Sequence, residues 1–84
     1  MTTARVWFIT GASRGLGRAF TEAALAAGDR VAAVARHVEP LRELTAQYPD
    51  RLLCLPLDVS DSAAVTRTVD RAGATFGRLD IVVN

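Results

Sequence analysis

The sequence predicts an α/β fold, a doubly wound parallel sheet, and three observations lead there. Four short runs of β-branched and aliphatic residues alternate with three stretches of helical spacing. The links between them are only a few residues long, as right-handed βαβ crossovers allow. A glycine-rich turn stands between the first run and the first helix. At 84 residues the chain has room for one small domain, because a chain this short buries only about 60% of the surface its unfolded form exposes.

The first run, Val6-Trp7-Phe8-Ile9-Thr10, is apolar on both faces and stops at Gly11, which predicts a buried strand. Residues 15–27 are alanine-rich, with Leu16, Ala19, Phe20, Ala23 and Ala27 at helical spacing and Gly28 as a C-terminal stop. Residues 31–35 form a second continuous apolar run, ending at Arg36-His37. Pro40 suits the first turn of a short helix carrying Leu41, Leu44, Thr45 and Tyr48 on one side, and Pro49 prevents its continuation. Residues 52–57 predict a third strand, placed at a sheet edge because Pro56 has no N–H for a central ladder. Ser60 or Asp61 caps a third helix whose apolar face is Val65, Val69, Ala72 and Phe76, and Gly77 ends it. Residues 79–83 supply a fourth strand. The doubly wound order 3-2-1-4 puts the proline-bearing strand at the edge. A fourth strand with nothing beside it leaves an open apolar edge, so residues 1–84 are expected to be part of a larger domain, interrupted after that strand.

Composition excludes several function classes. Half the residues are apolar, 23% are charged and the mean hydropathy is +0.20, which is too hydrophobic for intrinsic disorder. A net charge of +1 without a basic block gives no footprint for a nucleic-acid partner. All 10 basic residues are arginine. The one cysteine, Cys54, has no partner for a disulfide or a metal site, which fits a reducing cytoplasm. No apolar stretch reaches the roughly 18 residues that cross a bilayer, and residues 1–5 carry no export signal, so the expected protein is cytoplasmic with no membrane partner.

The chemistry is concentrated in Thr10-Gly11-Ala12-Ser13-Arg14-Gly15-Leu16-Gly17, where a strand turns into a helix. Glycines let the backbone turn and approach a ligand, and the free N–H groups at the start of the helix favour a pyrophosphate. The spacing G-x-x-x-G-x-G differs from G-x-G-x-x-G, because a match begun at Gly15 would put Phe20 at the third glycine. A phosphate loop of the G-x-x-x-x-G-K-[ST] kind is excluded by spacing and by the lack of lysine.

Thr10-Gly11-x-x-x-Gly15-x-Gly17 resembles the cofactor motif of the short-chain dehydrogenase/reductase family. Leu57-Asp58-Val59-Ser60 resembles the family's Asp-Val segment after the third strand, and Leu79-Asp80-Ile81-Val82-Val83-Asn84 its approach to Asn-Asn-Ala-Gly. The resemblance covers the whole chain but only the family's N-terminal, cofactor-binding part, and it implies a Rossmann-like fold. It further implies that Gly11, Gly15 and Gly17 shape the turn, that Ser13 and Leu16 contact ribose or phosphate, and that Asp58 and Val59 hold the adenine. Asn84, the first asparagine of the last motif, joins the implied cofactor-binding set. Asp58 has an ordinary structural role as its alternative, capping N–H groups of the turn before a helix.

Dinucleotide folds that bind NAD place an acid about 20 positions beyond the glycines, on the 2′-hydroxyl. Arg36 occupies that place. A guanidinium grips a 2′-phosphate with two hydrogen bonds, where a carboxylate would repel it. Arg14 adds a second positive charge, and basic residues at both positions resemble the NADP-preferring members of the family. NADP(H) is therefore expected over NAD(H). His37 and Cys54 have simpler readings, as an exposed loop histidine and a small buried apolar residue. Trp7, Phe8, Phe20 and Phe76 are expected in the core.

The family's reaction moves hydride between the nicotinamide and a small carbonyl or alcohol substrate, using a tyrosine, a lysine and a serine. Residues 1–84 hold no Tyr-x-x-x-Lys: Tyr48 is the one tyrosine, and Leu52 stands where the lysine would be. No catalytic residue and no metal ligand is therefore assigned, and this part alone is expected to be inactive. In the complete protein, an NADP-dependent oxidoreductase, a homo-oligomer is implied. The alternative is a non-catalytic dinucleotide-binding module or gene remnant.

Overall fold

The computed structural model describes residues 4–84; residues 1–3, which belong to the stretch inspected for an export signal, lie outside the described residues. The elements are β1 (Val6–Thr10), α1 (Gly15–Ala26), β2 (Arg30–Ala35), a 3-10 turn (Glu39–Leu41) running into α2 (Arg42–Gln47), β3 (Leu52–Pro56), α3 (Ser62–Phe76) and β4 (Ile81–Val83). The sheet is parallel with the order β3-β2-β1-β4, the doubly wound order expected from the sequence. Pro56 sits at the end of the edge strand opposite Ala35, and the ladder ends one residue on, where the Leu57 N–H donates to the Ala35 carbonyl at 3.0 Å.

The sheet is covered on both faces, as a parallel sheet requires. On one face α1 and α2 close over Ile9, Val31, Ala33 and Leu52, using Ala24, Leu25 and Leu44. On the other, α3 covers Phe8, Ala32, Val34 and Leu55, with Val65, Val69, Ala72 and Phe76 facing the sheet as their spacing predicts. The middle strands are buried on both sides, which is why β1 and β2 are continuous apolar runs without alternation.

The helix ends divide the expected caps. Asp61 caps α3, its Oδ1 accepting the Ala64 N–H at 3.1 Å, whereas the Ser60 N–H and hydroxyl both donate to Asp58 Oδ1. Pro40 is the second residue of the 3-10 turn that Glu39 opens, and the α-helix follows from Arg42.

The orientation of α1 corrects one expectation. The residues facing the sheet are Thr21, Ala24 and Leu25, and the stripe of Leu16, Ala19, Phe20, Ala23 and Ala27 faces outward. Phe20, expected in the core, is 40% exposed and Leu16 is 71% exposed. Thr21 becomes buried without penalty because its hydroxyl donates to the Gly17 carbonyl at 2.8 Å. Phe8 is buried, and Trp7 and Phe76 are half-buried against the two cores.

Candidate functional site

The carboxyl ends of β1 and β2 diverge into loops over a cleft of about 560 Å³. In open α/β sheets, ligands bind in such crevices at the carboxyl edge. One wall is the glycine turn, with Gly11, Ser13 and Arg14; the facing wall is Ala35, Arg36, His37 and Pro40; Leu57 and Val59 contribute from the segment after β3.

The geometry of the turn follows from its glycines. Gly11 and Gly15 have φ of +61° and +60°, the left-handed region that side chains rarely adopt. Gly17 is needed for a different reason: a Cβ there would stand 2.8 Å from the Gly11 carbonyl carbon and closer still to its oxygen. Helix α1 can therefore enter directly beneath the turn. Between the glycines, Ala12 is fully buried and its N–H donates to the Val34 carbonyl at 3.1 Å, tying the turn to β2.

The start of α1 is left open to an anion. Arg14, in the N-cap position, makes no side-chain capping bond, and the first turn contains no acid. Unsatisfied N–H groups and the positive end of the helix dipole thus meet at the glycine turn. These features fit a dinucleotide pyrophosphate, and the lack of a side chain at Gly17 lets the start of α1 pack directly against the Gly11 backbone of that turn.

Charge in the cleft has one sign. Its lining includes Arg14 and Arg36 and no carboxylate. Asp58 lies outside that lining, and its carboxyl is lowered from the ordinary value, first by the Ser60 N–H, then by the Ser60 hydroxyl, with Arg36 adding attraction. The capping role considered for Asp58 is thus realised in the turn before α3.

Of the ten residues picked out by sequence, the cleft brings together Gly11, Ser13, Arg14, Arg36 and Val59. Gly15 and Gly17 act behind the wall, through the path of the backbone. Leu16 and Asp58 are exposed and outside the lining, and Asn84 follows β4, which is bonded to β1. At that end the Thr10 hydroxyl donates to the Val83 carbonyl at 3.3 Å. His37, Pro40 and Leu57 are wall residues that sequence reasoning did not choose. Their signal was positional, since each lies within a few residues of the carboxyl end of β2 or β3.

Tyr48 is remote from this chemistry. It follows α2, packs against the core on the α1 face and carries the Arg51 guanidinium 4.8 Å over its ring. Among the described residues, no group of three or more potential metal ligands occurs, and no helix is long and apolar enough to cross a membrane.

A parallel 3-2-1-4 sheet with alternating helices and a glycine turn at the start of its first helix defines a Rossmann-like α/β fold. Residues 5–84 match the short chain dehydrogenase family, and the chain belongs to that family. It is 46% identical over 81 residues to Oxidoreductase BOA17 of Botryotinia fuckeliana, covering 95% of this chain and 30% of that protein. It is 39% identical to rat (Rattus norvegicus) 15-hydroxyprostaglandin dehydrogenase [NAD(+)], covering 95% of this chain and 32% of the relative. The crystal structure of a short-chain dehydrogenase from Streptomyces avermitilis superposes with a TM-score of 0.92 at 46% identity, covering 95% of this chain and 30% of that one. The chain thus spans about three tenths of the length of the relatives it matches.

Proposed function

We propose that this chain is the cofactor-binding part of an NADP(H)-dependent oxidoreductase that moves hydride between the nicotinamide and a small carbonyl or alcohol substrate. The observation that carries the reading is the cleft itself, with Arg14 and Arg36 among its lining residues and no acid. The bound nicotinamide supplies the hydride chemistry; this chain holds and orients the other end of the dinucleotide. The N–H groups at the start of α1 receive the pyrophosphate, with Ser13 and Leu16 beside ribose and phosphate. Arg14 and Arg36 hold the 2′-phosphate, Asp58 and Val59 border the adenine, and Asn84 completes the set from the end of β4. The complete protein is read as a cytoplasmic homo-oligomer.

The NAD(H) alternative has a specific counterpart in the rat relative, whose name carries NAD(+). An NAD site of this fold uses an acid on the 2′-hydroxyl, and Arg36 occupies that region here. Titration of the protein with NADPH and with NADH, followed by nucleotide fluorescence, tests the preference. Tighter binding of NADPH by about tenfold is expected, the worth of roughly 1.4 kcal/mol from charge-assisted contacts at a partly exposed site. Arg36→Ala should erase most of that difference. Equal dissociation constants for the two nucleotides would overturn the preference while leaving the family assignment in place.

A further inference from the structure

We infer that Arg18 is a positioning residue for the 2′-phosphate side of the cleft, an inference that rests on the nucleotide reading above. Arg18 lies in α1, directly after the glycine that lets the helix pass beneath the turn. Its Nη1 donates to the Pro40 carbonyl at 2.6 Å, and its Nε donates to Glu22 Oε1 at 2.9 Å. Pro40 is itself part of the wall that carries Arg36. One side chain therefore joins the helix of the pyrophosphate turn to the opposite wall.

The segment it holds is restrained beyond Pro40 by the 3-10 turn, where the Leu41 N–H donates to the Val38 carbonyl at 2.9 Å and Arg42 pairs with Glu39, but none of these contacts reaches across to α1. The Ala35 carbonyl is fixed by the Leu57 N–H at 3.0 Å, and Leu41 is fully buried in the core. Between these points Arg36 and His37 are exposed. The segment stays pinned at Ala35 and Leu41 in any case; the Arg18 contact at Pro40 is what fixes its exposed part against α1, and its loss widens the range of positions open to Arg36. Glu22 matters because it orients the guanidinium through an i, i+4 pair on the same helix. A charged donor on a backbone carbonyl is stronger than a neutral one, and the arginine fork engages both partners at once.

A purely structural surface pair would weaken the fold and affect all nucleotides alike. A positioning residue changes discrimination, because the pyrophosphate side is shaped by Gly11, Gly15 and Gly17, whereas the 2′-phosphate side depends on where Arg36 is held. The test uses adenosine 2′,5′-bisphosphate and 5′-AMP as probes, with calorimetric dissociation constants on the full protein for wild type, Arg18→Met, Arg18→Lys and Glu22→Gln. Arg18→Met should weaken the bisphosphate about fivefold to tenfold and 5′-AMP by less than about twofold. Arg18→Lys, which keeps a single charged donor, should recover part of the loss, and Glu22→Gln should fall between wild type and Arg18→Met. In the Arg18→Met background, Arg36→Ala should cost less than it does in wild type, since the two act on the same contact.

Equal weakening of both probes, or no weakening of either, overturns the role of Arg18. If Arg18→Met fails to fold, Arg18→Lys and Glu22→Gln carry the same comparison, and an unchanged probe ratio in both overturns it. Failure of the underlying reading looks different: wild type itself would then show no preference for the bisphosphate.

Discussion

At the residue scale, Gly17 is the position where backbone and function constrain each other most tightly. A methyl group there meets the Gly11 backbone, and backbone cannot give way as a flexible side chain can. Gly17→Ala should force α1 and the turn apart, at a cost of about 1–3 kcal/mol for overpacking. Thermal unfolding should report that loss, and nucleotide titration should report a larger one, because the displaced turn is the proposed phosphate site. Unchanged nucleotide affinity in Gly17→Ala would show that the close approach is not needed for binding. Asp58 invites a different comparison. Its carboxylate already accepts two hydrogen bonds from Ser60, so Asp58→Ala should loosen the entry to α3 as well as alter any contact with adenine. Ser60→Ala removes only the hydroxyl partner. If Asp58 borders the adenine, its substitution weakens nucleotide binding more than Ser60→Ala does, and equal effects would leave it a turn residue alone.

At the scale of elements, the start of β1 is held by two aspartates from neighbouring loops. Asp29 Oδ1 accepts the Arg5 N–H at 3.0 Å while its Oδ2 accepts Trp7 Nε1 at 2.9 Å. Asp80 Oδ2 accepts the Val6 N–H at 2.8 Å, and its Oδ1 takes the Arg78 guanidinium. Both carboxyls are held below their ordinary range, Asp29 foremost by the Arg5 N–H and Asp80 foremost by Arg78. An aspartate lowered in the folded state stabilises fully above its unfolded value of about 3.9, and that contribution fades as pH falls through the lower folded value. The melting temperature should therefore drop on the acid side of about pH 4, and Asp29→Asn with Asp80→Asn should start lower at pH 7 but lose less between pH 5 and pH 3. Parallel acid limbs for wild type and double variant would remove these carboxylates from the acid response. These contacts were not legible in the sequence, because Asp80 meets β1 across 74 positions and nothing local marks the pair. The strand order was legible, because Pro56 cannot donate at a central position. The buried side of α1 was not: apolar residues surround the helix, and the one that decides, Thr21, is polar and satisfied by Gly17.

At the scale of the whole molecule, the fold leaves apolar surface uncovered on α1 and β4. Leu16 and Phe20 face outward from α1, and Val82 is 61% exposed. The outer edge of β4 has no strand beside it among the described residues. Unpaired backbone next to exposed aliphatic side chains favours association with another chain. A polypeptide limited to residues 1–84 should therefore sediment with a mass that rises with concentration. Phe20→Ser with Val82→Thr should shift that association to concentrations about tenfold higher, since each removes roughly 0.5–1 kcal/mol of burial at a partly exposed position. A monomer at all concentrations in the unsubstituted polypeptide would mean that these surfaces are not sticky enough to matter. The same polypeptide should bind nucleotide and transfer no hydride. Its one tyrosine, Tyr48, packs on the α1 face under Arg51, and it holds no lysine to lower a tyrosine's pKa. Tyr48→Phe should consequently leave NADPH affinity unchanged. Oxidation of NADPH by residues 1–84 with a carbonyl substrate would require a proton donor that the cleft does not contain outside Ser13, the arginines and His37. Such turnover, if observed and lost in His37→Gln, would move His37 from the rim of a binding cleft into the chemistry itself.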